Sequence, residues 1–181
     1  MNVCSRILLC VSLLAPAAAL ADFNEGVAYY ARGEYDKAAQ VLIPLAESAN
    51  QPMAQYFLGA MYAKGQGVEQ SYEQAAKWYR SAAEKGVAPA QYKLGLLYRD
   101  GHGVPHDMEY AYAWLSVATK LGHQLAPAAL SATEGQMAAA ELDAAKKLSE
   151  DYIQKYAIKQ EEKPAGVDEP LQGPPPAPQP Q

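Results

Sequence analysis

The chain has 181 residues, of which 50% are apolar and 19% charged, with a formal net charge of −5. That composition supports one domain with a sizeable core. The acidic surplus, with no basic block anywhere, excludes nucleic acid and anionic membrane surfaces as natural partners.

Residues 1–21 read as a secretory signal peptide: Arg6 supplies a positive start, Ile7 to Leu14 a short apolar run, and Ala19-Leu20-Ala21 a small-x-small cleavage site. A membrane anchor needs about 20 apolar residues, and Pro16 interrupts this run. Acylation at Cys10 calls for small residues before it, and Leu8 and Leu9 stand there instead. Cleavage after Ala21 removes Cys4 and Cys10, the two cysteines of the chain. The mature protein would then enter an oxidising compartment with no disulfide to form, no thiol chemistry and no cysteine metal site. It would carry 14 basic against 20 acidic residues, since Arg6 is one of the 15 basic ones.

Residues 22–53 form a degenerate N-terminal unit, in which Gly26, Tyr29, Gly33, Tyr35 and Ala38 have the spacing of a tetratricopeptide hairpin. Gly33-Glu34 makes its turn, and Pro44 is expected to kink the second helix or delay its start. From Ala54 the chain repeats with a period of 36. Residues 54–89 and 90–125 share 14 of 36 positions without a gap, the signature of a stacked solenoid. In each copy the spacing predicts a helix pair. Ala54, Leu58 and Tyr62 share one face of the first helix. Gly59, returning as Gly95, removes a side chain where the second helix approaches. Gly65-Gln66-Gly67-Val68 reverses the chain. Ser71 with Gln74 opens the second helix as a capping box, Asp107 caps its counterpart, and Gly86 and Gly122 end the two.

In residues 126–160 the pattern fades into C-terminal capping helices. The first runs over 126–132. A Thr133/Gln136 capping box then precedes a long helix from Met137 to about Lys159, with Leu142, Ala145, Leu148, Tyr152 and Tyr156 on one face. Residues 161–181, ending in Gly173-Pro-Pro-Pro-Ala-Pro-Gln-Pro-Gln, cannot build a core and read as a disordered or polyproline tail.

The pattern Ala-x-x-x-Leu-Gly-x-x-Tyr-x-x-Gly-x-Gly-Val, followed by Ala-x-x-Trp, Ala and Gly, resembles the Sel-one-like repeat, a relative of the tetratricopeptide repeat. Ala54, Leu58, Gly59, Tyr62, Gly65, Gly67, Val68, Ala75, Trp78, Ala82 and Gly86 carry it once, and Ala90 through Gly122 carry it again. The resemblance implies an all-α fold, a right-handed α/α superhelix of antiparallel helix pairs used for protein–protein interaction. Some cysteine-rich secreted relatives bind or hydrolyse penicillin-type compounds. Those carry a disulfide in each repeat, which this mature chain lacks.

Residues that recur build the stack, and residues that change between copies are candidates for reading a partner. Phe57, Met61 and Lys64 fall at i, i+4 and i+7, and stacking would align them with Lys93 and Leu97. Two readings stay open for this set: a concave groove for an amphipathic or acidic peptide, or packing on neighbouring helices. His102 and His106 flank Gly103 and Pro105 in a loop, so their four-residue spacing is no helical metal pair. No catalytic motif is present in the sequence. The expectation is a non-enzymatic periplasmic adaptor or regulator that takes no cofactor, crosses no membrane once cleaved, and binds another envelope or periplasmic protein. In another reading the proline-rich tail is the functional element and the stack a spacer.

Overall fold

A computed structural model describes residues 15–158, with side chains from 22 to 157. The first fourteen residues of the expected signal peptide, and the proline-rich tail, lie outside the described residues. Eight α-helices follow one another: α1 (Ala15–Ala31), α2 (Tyr35–Glu47), α3 (Pro52–Lys64), α4 (Tyr72–Ala83), α5 (Ala88–Asp100), α6 (Met108–Lys120), α7 (Ala126–Glu134) and α8 (Ala139–Ile153). A single π-helical turn, Gln154–Ile158, completes them. Among the described residues there is no strand, and no helix is long and apolar enough to cross a membrane. Each helix packs on its sequence neighbour from α1 to α7, and α8 closes the stack by lying on α6. The result is a helical solenoid with one continuous core.

The local signals act as their chemistry requires. Pro52 and Pro89 each occupy a first helical turn, where a missing N–H leaves no bond unmade. Ser71 Oγ accepts from the Gln74 N–H at 3.2 Å, and the Asp107 carboxylate accepts from the Tyr110 N–H at 3.0 Å. Only this half of the Ser71/Gln74 box forms, because the Ser71 N–H donates to the Tyr62 carbonyl instead. That bond ties the start of α4 to the end of α3. Truncating either cap, by Ser71→Ala or Asp107→Ala, is expected to cost about 1 kcal/mol, read as a shift in urea midpoint. Shifts near zero for both would show that tertiary packing, not capping, starts these helices.

Gly59 and Gly95 set the spacing within each hairpin. A Cβ on Gly59 would fall 2.7 Å from Tyr79 Cδ1, and one on Gly95 would fall 2.8 Å from Leu115 Cγ. The second helix therefore lies against bare backbone. The core follows: Leu58, Met61, Leu94, Leu115 and Val117 are wholly enclosed. Helix α6 is buried on every residue from Ala111 to Ala118, because α5, α7 and α8 all pack on it. Trp114 lies in this core, stacked on Tyr156 with ring centroids 5.0 Å apart. Trp78, its repeat counterpart, is only half-buried.

Two expectations are corrected and one is narrowed. Helix α2 runs unbroken through Pro44, so its start is not delayed. Thr133 caps nothing: it is buried inside α7, and its hydroxyl donates back to the Ala129 carbonyl at 2.8 Å. Helix α8 begins at Ala139, behind Ala138 in extended conformation, rather than at Met137. Thr133 was drawn into α7 because a hydroxyl that bonds the preceding turn is compatible with a helix interior.

Candidate functional site

The five residues expected to face a partner separate into two groups. Phe57, Met61 and Leu97 belong to the core, Phe57 at 2% exposure and Met61 at 0%. For these three the groove assignment is corrected to packing. Phe57 sits edge-on to Phe23, Tyr30 and Tyr56, with ring centroids 5.5 to 6.0 Å apart. Lys64 and Lys93 are exposed. The contrast between Phe57 and Lys93, which are repeat equivalents, comes from the helix that precedes each. Tyr30 packs edge-on against Phe57, whereas the residue 33 positions on from Tyr30 is Ala63, which has no ring to offer.

Lys64 stands at the end of α3 and Lys93 on α5. Partial burial and then the Lys64 ammonium hold Lys93 below the usual lysine value. A third basic group joins them. His123, just past α6, stacks on Tyr92 of α5 with centroids 4.4 Å apart and planes 21° off parallel. The Lys93 ammonium lies 5.5 Å from the same tyrosine ring, a cation–π arrangement. Burial first, and Lys93 second, push His123 below the ordinary histidine range. Its Nδ1 is enclosed without a hydrogen-bond partner. Among the described residues no carboxylate forms an ion pair with Lys64, Lys93 or His123.

Sequence reasoning found the two lysines and missed Tyr92 and His123 as their companions. The available signal was the repeat itself: His123 replaces Val87 of the preceding copy, a change as marked as Phe57 to Lys93.

Two other groupings have a structural explanation. His102 and His106 are exposed, with His102 stacked on Tyr72 at 4.9 Å. No cluster of three metal-ligating side chains occurs among the described residues. Tyr152 and Tyr156 pack on Trp114 where α8 closes the stack, and Tyr110 and then Tyr98 extend the chain of rings from Tyr152. Burial and the neighbouring phenols push Tyr152 up to about 12, so it stays a neutral packing group.

The family described as the Sel1 repeat matches residues 52–87 and again 88–123, two residues earlier in phase than the units read from Ala54. Among solved structures, a protective antigen present in uropathogenic Escherichia coli strains, displaying an SLR fold, is 33% identical with a TM-score of 0.73. The match covers 85% of this chain and 35% of the antigen. A Sel1 repeat protein from Oxalobacter formigenes is 28% identical with a TM-score of 0.58, over 72% of this chain and 55% of that one. The chain thus spans about a third of the first structure and about half of the second. No curated protein matches it.

Proposed function

We propose that this chain, a Sel1 repeat protein, is a periplasmic adaptor or regulator that binds a segment of another envelope protein on the face where α3 and α5 bring Lys64 and Lys93 together. Sel1 repeats mediate protein–protein interaction, and solenoids do so along surfaces built from consecutive repeats. The observation that carries the reading is the gathering of Lys93 and His123 at the Tyr92 ring, with the Lys64 charge felt at Lys93, on an otherwise acidic chain.

The periplasmic part of the proposal rests on the signal peptide expected at residues 1–21. The similar protein of uropathogenic E. coli is a protective antigen, and export of this chain is in keeping with that. The cleavage point after Ala21 falls within α1, and the remainder of that helix keeps Phe23 and Tyr30, which enclose Phe57. Export therefore leaves the first hairpin's aromatic contacts in place. Sequencing the N-terminus of protein recovered from periplasm should begin at Asp22, and an intact Met1 there would refute export through this signal.

Affinity capture from periplasmic extract tests the binding face. The Lys64→Glu/Lys93→Glu variant should melt like the parent, because both side chains are exposed, yet lose a captured protein. If the variant captures everything the parent does, this face is not the contact.

A further inference from the structure

Resting on that reading of the α3–α5 face, we infer that Lys64, Lys93 and His123 grip the carboxylates of an acidic peptide segment, with His123 taking up a proton as the segment binds. Three features of the molecule converge on this. Two ammonium groups and an imidazole come from three successive stretches of the solenoid, the end of α3, the middle of α5 and the turn after α6. Tyr92 organises two of them, with His123 against its ring and Lys93 near it. No acidic side chain among the described residues is paired with any of the three. Like charges held together this way raise the energy of the empty site and favour an anionic occupant.

The proton uptake follows from what surrounds His123. From α5 it faces Tyr92 and Lys93, with Lys64 of α3 beyond Lys93. Helix α7, which follows it, offers no titratable group before Glu134. In the free protein, burial and Lys93 therefore both disfavour the imidazolium. A bound carboxylate opposes both effects, since it offsets the Lys93 charge and favours the charged ring. The histidine's pKa then rises on binding, and by linkage the affinity rises as pH falls. The gain begins near the raised value of the complex and levels off below the depressed value of the free protein. Lys64 and Lys93 supply charge at every pH in that range, so binding weakens at the upper end without vanishing.

The test uses the full chain and a blocked peptide of alternating Glu and Gly, with its Gln counterpart as control, by calorimetry and by the His123 imidazole signals in NMR. The Glu peptide should bind roughly fivefold more tightly at about pH 5.5 than at about pH 7.5. The His123 signals should titrate at higher pH when the peptide is present. His123→Gln should abolish the pH dependence and keep the residual binding, and Lys93→Gln should lose most binding at both pH values. Equal binding of the Gln peptide, or an unchanged pH dependence in His123→Gln, overturns the inference. Loss of peptide binding together with intact Lys93-dependent capture of a protein would overturn this inference alone and leave the adaptor reading standing.

Discussion

Phe57→Ala is expected to destabilise the fold by about 3–5 kcal/mol, with a fall in Tm on the order of 10 °C. The ring is enclosed at 2% exposure and meets three aromatic rings edge-on. Such pairs add about 0.5–1.5 kcal/mol to area burial, and the void left by Ala cannot close readily between Phe23, Tyr30 and Tyr56. The repeat-equivalent change Lys93→Ala is expected to stay within about 0.5 kcal/mol, because Lys93 is exposed. Urea unfolding of the two variants measures the difference directly. If Phe57→Ala leaves the midpoint in place, Phe57 is not core and returns to the list of surface contacts. Any loss of a captured partner in Phe57→Ala is then expected to track the unfolded fraction.

That reversal shows where sequence patterns lose their force. The hairpins were legible because their determinants are local. A cap needs an oxygen at one position, and a hairpin that packs on bare backbone needs a glycine at another, so Ser71, Asp107, Gly59 and Gly95 announced themselves. The partner face was only half legible. Helix α3 is buried at every residue from Ala54 to Met61, so it has no polar stripe to separate inside from outside. Variation between copies then means a change of neighbours as readily as a change of partner. Gln55 makes the same point. It is a polar side chain at 3% exposure, satisfied by donating to the Ala46 carbonyl and accepting from Lys85. Its repeat equivalent Gln91 keeps the bond to the Ala83 carbonyl but leaves its own oxygen unpartnered, because Leu121 stands where Lys85 would be. The grouping of Lys93, Tyr92 and His123 was harder to see for a related reason: Tyr92 and Lys93 lie on α5 and His123 past α6, and only the stack brings the histidine to the tyrosine ring.

Gly103→Ala is expected to be the most damaging of the conservative changes in the repeat loops. Gly103 has φ +70°, and a Cβ there would fall 2.2 Å from both the carbonyl carbon and oxygen of Tyr72. Those are backbone atoms at the start of α4 in the preceding unit, so no rotamer change relieves the overlap. Gly122, with φ +80° and nothing within 4 Å of such a Cβ, isolates the other part of the penalty. Gly122→Ala carries only the left-handed backbone strain, about 1–2 kcal/mol, whereas Gly103→Ala adds an overpacking cost of roughly 1–3 kcal/mol or more. The extra cost falls on the contact between units rather than on the folding of either one. In a nearest-neighbour stack, weakening such a contact lowers cooperativity as well as stability. Urea unfolding should therefore show Gly103→Ala with both an earlier and a broader transition, while Gly122→Ala shifts the midpoint and keeps the slope. Gly67, which meets the Tyr35 carbonyl in the same way at the start of α2, should behave like Gly103. If Gly103→Ala and Gly122→Ala shift the curve equally, the loop does not lock one unit onto the next, and the side-chain core alone holds the stack in register.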